Sequence, residues 1–113
     1  MWIYKILRSE EWSELLAQGE IPGAPIDVAD GYVHFSTAEQ LRETAEKHFT
    51  SEPNLVLLAV NYQALGDQLK WEPSRGGALF PHLYGPLRLL DVSWSAPLML
   101  AADGRHIFPS GVR

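Results

Sequence analysis

The chain has 113 residues, the size of one domain, and its 46% apolar and 20% charged residues exclude an intrinsically disordered protein. The absence of cysteine excludes disulfide scaffolds, thiolate zinc sites and cysteine nucleophiles. A formal charge of −5 argues against coating duplex nucleic acid, and no apolar run reaches the roughly 18–20 residues of a membrane span. We therefore expect residues 1–113 to form a single domain.

The first half of the chain predicts two main helices between short strands. In chain order we expect a strand over 2–8, a helix over 9–19, a loop over 21–30, a strand over 31–36 and a helix that begins at 37. The loop is predicted because Pro22, Gly23 and Pro25 interrupt any regular pattern. Ser36 and Thr37 are followed by Glu39 and Gln40 at capping-box spacing, which is typical of a helix start.

The second half is rich in predicted strands. We expect strands over 54–62, 69–72 and 87–95, and a hairpin that pairs 97–100 with 105–108. Asp103-Gly104 supplies the turn of that hairpin. Residues 79–86 contain two prolines and a glycine and are predicted to be irregular. Together the elements indicate an α+β fold.

The first candidate site is Tyr32, His34 and Ser36. Strand alternation places these three side chains on one face, next to the start of a helix. A neutral imidazole there can bond a ribose hydroxyl or act as a base. The alternatives are a buried structural histidine bonded to a backbone carbonyl and a histidine at the edge of the sheet.

Two further segments carry candidate binding residues. In the first, Trp71 and Glu72 precede Arg75 and two glycines, so Arg75 is a candidate clamp for a phosphate or carboxylate and Glu72 a candidate catalytic carboxylate. In the second, prolines stiffen the loop that presents His82 and Tyr84, which suits a planar ring. The alternatives are a solvated turn and a packing loop.

Other chemistry finds less support in the sequence. Four scattered histidines lack the spacing of metal ligands, so we expect no metal site, and His48 and His106 are interpreted as structural. There is no Walker loop, Rossmann fingerprint or nucleophile elbow. The amino terminus lacks the features of a signal peptide, which predicts a soluble cytoplasmic protein without a membrane partner.

Three segments carry a family resemblance over nearly the whole chain: GYVHFSTAEQL at 31–41, KWE at 70–72 and FPHLYGPL at 80–87. They resemble a small bacterial family known as domain of unknown function 952. That family is similar in fold to the ADP-ribosyltransferases and RNA 2′-phosphotransferases, whose split, strand-rich sheets form a cleft that binds NAD. The resemblance implies an ADP-ribosyltransferase-like fold with NAD as a candidate substrate; the residues themselves establish no cofactor.

The same resemblance implies roles for individual residues. His34 and Ser36 match a histidine followed two positions later by Ser or Thr, which implies that His34 orients a ribose. Tyr84 or His82 is the implied ring-stacking residue, and Glu72 the implied glutamate that stabilises an oxocarbenium-like centre.

Three functions are left open by the sequence. The first is an enzyme of ADP-ribosyl or phosphoryl transfer. The second is a non-catalytic module that binds a small metabolite or nucleotide, and the third is a protein-interaction module that uses the aromatic loop at 80–87. A glutathione transferase is disfavoured, because the chain is too short for a thioredoxin-like half and a helical half. The oligomeric state is left open.

Overall fold

The fold is described for residues 2–112 of a computed structural model, without the side chain of Arg75. Within this range the strands are β1 (Trp2–Arg8), β2 (Glu20–Ile21), β3 (Val33–His34), β4 (Leu55–Asn61), β5 (Leu69–Pro73), β6 (Leu79–Leu83), β7 (Leu87–Arg88), β8 (Val92–Leu100) and β9 (His106–Ile107). The α-helices are α1 (Ser9–Gln18), α2 (Pro25–Asp30) and α3 (Ala38–His48). Short 3₁₀ turns cover Tyr62–Gln68, Arg75–Gly77 and Leu89–Asp91.

A four-stranded antiparallel sheet in the order β1-β4-β8-β9 forms the centre of the fold. Its strand β4 is apolar almost throughout, because both of its faces are covered. Leu58 and Val60 belong to a core cluster with Leu15 of α1, whereas Leu57 belongs to a second cluster with Leu41 of α3. Strand alternation thus divides the core into two layers that share one sheet.

Two smaller sheets complete the α+β fold. One pairs β2 with β7, and the other has the antiparallel order β3-β6-β5. The second sheet contributes Val33 and Leu83 to the same core cluster as α1. The remaining face of this sheet carries most of the polar residues discussed below.

Several predicted elements are confirmed. The strands β1, β4 and β5, the helices α1 and α3, and the β8–β9 hairpin lie where the sequence predicts them. The capping box of α3 is present: Gln40 N–H donates to Thr37 Oγ1 over 3.3 Å, and Thr37 N–H donates to Gln40 Oε1 over 3.0 Å. Gly19, in the left-handed conformation, ends α1.

The prediction of a loop over 21–30 is wrong, because this segment contains Ile21 of β2 and the helix α2. Pro25 occupies the first turn of the helix, where its missing N–H is no loss. Asp27 Oδ2 accepts the Ala24 N–H over 2.7 Å and caps the helix start. Gly31, at φ +89°, then ends α2.

The predictions for 31–36, 79–86 and 87–95 need smaller corrections. Only Val33–His34 form a strand in the first of these segments, and Ser36 pairs with β1 through a single bridge. In the second, β6 is the central strand of its sheet despite Pro81, whose carbonyl accepts the Phe35 N–H over 3.0 Å. In the third, a 3₁₀ turn separates β7 from β8.

Candidate functional site

The β3-β6-β5 sheet brings two predicted histidines together. His34 on β3 lies directly opposite His82 on β6, and the two ring centroids are 5.6 Å apart. Glu72 on β5 projects from the same face, because it lies two residues along the strand from Lys70, which is opposite His82. Tyr84 follows β6 on this face. Segments far apart in the sequence thereby form one polar cluster.

Each ring nitrogen of His34 faces a carboxylate. Nδ1 lies 2.6 Å from Asp27 Oδ1, and Nε2 lies 3.0 Å from Asp30 Oδ2. An imidazolium donates from both nitrogens, whereas a neutral imidazole donates from only one. The geometry around His34 therefore fits the charged form of the ring.

Asp27 is a buried carboxylate with four hydrogen-bond or ion-pair contacts. Oδ2 accepts from Ala24 N–H and pairs with Lys5 Nζ over 2.7 Å, while Oδ1 accepts from the backbone N–H and the ring of His34. Burial alone raises the pKa of Asp27, but the His34 hydrogen bond and the Lys5 charge outweigh it and bring the pKa to about 2. Gly23 is required nearby, because a Cβ there would lie 2.6 Å from Asp27 Cβ.

Lys5 is the buried cation that balances this carboxylate. Its side chain is 6% exposed, although it belongs to the apolar strand β1. Burial lowers the pKa of Lys5, and the attraction of Asp27 acts in the opposite direction. Lys5, Asp27 and His34 form a continuous chain of polar contacts from the core to the site.

His82 has a carboxylate of its own. Its Nδ1 lies 2.8 Å from Glu72 Oε1, which also accepts from Tyr84 Oη over 2.7 Å. The hydrogen bonds from Tyr84 and His82 lower the pKa of Glu72, and the same contact with Glu72 raises the pKa of Tyr84 to about 12. When Nδ1–H donates to Glu72, Nε2 carries the lone pair, and among the described residues it has no hydrogen-bond partner.

The ring of Tyr32 packs over both histidines. Its centroid is 4.7 Å from that of His34, 4.1 Å from that of His82 and 5.3 Å from that of Tyr84. These contacts restrict the two imidazoles to one arrangement. The cluster is therefore ordered by packing as well as by hydrogen bonds.

A cleft of about 540 Å³ opens beside this cluster, which is within the usual size range of small-molecule sites. Its floor is apolar and its wall carries hydroxyls, among them Ser36, whose Oγ lies 2.8 Å from Thr44 Oγ1. Among the described residues, the lining has a single carboxylate, Asp30. It has five basic side chains: Lys5, Arg8, His34, His48 and His82. The cleft is thus locally basic in an acidic chain.

A comparison with known proteins identifies the family. The family model described as "Protein of unknown function (DUF952)" matches residues 6–95. This chain belongs to the DUF952 family. It is similar to protein CC0527 from Caulobacter crescentus, whose crystal structure is 52% identical, with a TM-score of 0.91 over 95% of this chain and 94% of that one. The solution structure of CC0527 is 54% identical, with a TM-score of 0.83 over 92% and 90% of the two chains. No curated protein matches the chain.

The DUF952 chain distributes the predicted site residues over three places. Tyr32, His34, Ser36 and His82 line the cleft, while Glu72 and Tyr84 lie behind His82. Trp71 points to the opposite face of β5, where it packs edge-on against Tyr62 at 6.3 Å. The side chain of Arg75 lies outside the described part of the structure. His106 Nε2–H donates to the Glu52 carbonyl over 2.8 Å, away from the cleft, whereas His48 lines the cleft.

Sequence reasoning missed Asp27, Asp30 and Lys5. The predicted loop over 21–30 hid the two carboxylates, since no periodicity marks a helix as short as α2. Lys5 left a detectable signal, because it interrupts an otherwise apolar strand in which both faces are buried. A lysine at such a position requires a buried counter-ion.

Two further properties concern the described residues 2–112 of this DUF952 protein. None of the helices there is both long and apolar enough to cross a membrane. Within the same range, no three histidine or acidic side chains are grouped closely enough to hold a metal ion.

Proposed function

We propose that the cleft binds an anionic small molecule of the nucleotide class and that the two histidines carry out proton transfer on it. The observation that carries the proposal is the pair of imidazoles at the wall of the cleft, each with a carboxylate at Nδ1: Asp27 for His34 and Glu72 for His82. A carboxylate at Nδ1 fixes the tautomer and orientation of an imidazole and leaves Nε2 for chemistry. The basic lining favours a ligand that carries phosphate.

The two histidines would have different tasks. His82 Nε2, with its lone pair in the cleft wall, is the base that accepts a proton from an attacking hydroxyl. His34, whose ring is oriented by Asp27, contacts the phosphate or ribose side of the ligand and stabilises negative charge there. Glu72 acts through His82 and is a positioning residue in this scheme.

The finer proposal follows from the family resemblance of the sequence. We propose an ADP-ribosyltransferase-like relationship and a reaction of the ADP-ribosyl or RNA 2′-phosphate transfer type, with NAD as a candidate substrate. The strand-rich sheets and the cleft beside His34 and Ser36 support this relationship. Tyr32 lines the cleft and Tyr84 does not, so we assign the ring-stacking role to Tyr32.

A second candidate function is binding without turnover. The observation in its favour is the Asp30 carboxylate, which lies 3.0 Å from His34 Nε2 and so already engages a nitrogen that catalysis would use. The interaction role of the aromatic loop finds less support. Phe80 and His82 are buried, and Tyr84, which is exposed, is bonded to Glu72.

The test combines ligand binding with product formation. Purified protein is incubated with NAD, ADP-ribose or an RNA that ends in a 2′-phosphate, and melting temperature and products are measured. A ligand at about 100 times its Kd stabilises the fold by about 2.7 kcal/mol, which is a shift of about 10 °C. His82→Gln is expected to reduce turnover by about 10²–10⁴-fold while affinity changes little.

His106→Gln is the matched control, because it removes an imidazole that does not line the cleft. Binding without product in the wild type would favour the second candidate. The proposed function is refuted if none of the three compounds produces a thermal shift or a product.

A further inference from the structure

Asp30 occupies an unusual place in the cleft. Among the described residues it is the one carboxylate in the lining, and its Oδ2 lies 3.0 Å from Nε2 of His34. This nitrogen is the one that points away from the buried Asp27. The oxygen of Asp30 therefore marks the position at which an anionic oxygen of a ligand would meet the imidazolium.

The two carboxylates on His34 are held very differently. Asp27 has a side chain that is 0% exposed and is fixed by Lys5, Ala24 N–H and two groups of His34. The Asp30 side chain is 44% exposed, and its one partner among the described residues is His34. An exposed ion pair of this kind is worth little, since water and salt replace it at small cost. Asp27 therefore stays bound to His34, whereas Asp30 can be displaced from it.

The position of Asp30 in α2 makes its departure easier. It is the last residue of the helix, directly before the left-handed Gly31. The carbonyl groups at a helix end disfavour a negative charge. Rotation of the Asp30 side chain into solvent would break the ion pair with His34 and no other hydrogen bond or ion pair of its side chain to the described residues.

We propose that Asp30 is a displaceable occupant of the ligand position, which a phosphate or carboxylate oxygen of the ligand replaces at His34 Nε2. This inference rests on the proposed function and names the chemical group that His34 recognises: an anionic oxygen rather than a neutral ribose hydroxyl. The buried Lys5–Asp27 pair keeps the other side of the ring unchanged in both states. Ligand binding is then an exchange of one anion for another in a cleft that, among the described residues, has no second carboxylate and five basic side chains.

The experiment measures affinity in three proteins: wild type, Asp30→Asn and Asp67→Asn. The control Asp67 is exposed and does not line the cleft, so its variant changes the net charge by the same amount elsewhere. The probes are inorganic phosphate, ADP-ribose and adenosine, an uncharged riboside that has ribose hydroxyls but no phosphate. Titration is followed by calorimetry and by the NMR signals of the imidazole nitrogens.

In Asp30→Asn the competing charge is removed, so the affinities for phosphate and ADP-ribose are expected to rise about two- to fivefold. This is the range that corresponds to the loss of an exposed ion pair. Asp67→Asn should change these affinities less than twofold, and the affinity for adenosine should not increase in Asp30→Asn. Equal or weaker phosphate binding in Asp30→Asn, or an equal gain for the riboside, overturns the displacement but leaves ligand binding in the cleft intact. If neither phosphate nor ADP-ribose binds any of the three proteins, the proposed function fails and this inference fails with it.

Discussion

Replacement of Asp27 by Asn tests whether the buried charges organise the site. The substitution keeps the shape of the side chain but leaves Lys5, which is 6% exposed, without its counter-ion. Breaking a buried ion pair in this way typically costs about 3–5 kcal/mol. For a domain of this size that corresponds to a decrease in melting temperature of about 12–20 °C.

The pH dependence of stability gives an independent value for the contribution of Asp27 to the free energy of unfolding. The pKa of Asp27 is depressed from 3.8 to about 2 in the folded protein. Because each pKa unit corresponds to 1.36 kcal/mol, this carboxylate contributes about 2.5 kcal/mol to the free energy of unfolding above pH 5. The folded state holds the proton less tightly than the unfolded state, so the contribution is lost as the pH falls from about 5 through 2.

The assay is urea denaturation of wild type and Asp27→Asn between pH 7 and pH 2. The difference between their unfolding free energies should be constant above pH 5 and shrink by about 2.5 kcal/mol towards pH 2. The double variant Lys5→Met/Asp27→Asn should lose less unfolding free energy than the two single variants lose in sum, because no unpaired charge remains buried. Asp67→Asn is the control for net charge. The reasoning is refuted if Asp27→Asn lowers the free energy of unfolding by less than about 1 kcal/mol at pH 7 and if the unfolding free energies of the two proteins fall in parallel towards pH 2.

Two smaller predictions concern single contacts. Glu72→Gln should lower the pKa of Tyr84 from about 12 towards its ordinary value of 10.0, because the carboxylate that stabilises the neutral phenol is removed. Alkaline absorbance titration measures this, with Tyr84→Phe to assign the signal; an unchanged titration would contradict the Tyr84–Glu72 hydrogen bond. Thr37→Ala should lower the free energy of unfolding by about 1 kcal/mol through loss of the N-cap of α3, and Thr37→Ser should restore most of it. Equal stabilities of the alanine and serine variants in urea denaturation would disprove the capping role.

The elements that could be predicted from the sequence are those that a local pattern specifies. The apolar run of β4 reflects burial on both faces, and the capping box at Thr37 and Gln40 determines where α3 begins. The same local reasoning failed at α2 and β6. In α2 the helix is stabilised by Asp27, which caps it and binds Lys5 from a distant strand. In β6, pairing on both sides compensates for the donor that Pro81 lacks.

The candidate site was predictable by residue type but not by pairing. Alternation places Tyr32 and His34 on one face, as the sequence predicts, and both line the cleft. Which carboxylate accompanies which histidine depends on strand register and on a buried counter-ion, and neither leaves a local pattern. Trp71 shows the same limit, since the β5–β6 register turns it away from Glu72 to the opposite face.

The central claim is that His34 and His82 contact a bound nucleotide in the cleft. The most direct measurement is a titration of ¹⁵N-histidine-labelled protein with ADP-ribose, observed through the ring nitrogens. We predict that the Nε2 signals of His34 and His82 shift together and saturate with the ligand, while those of His106 remain unchanged. Saturable binding that leaves both Nε2 signals in place would contradict the account.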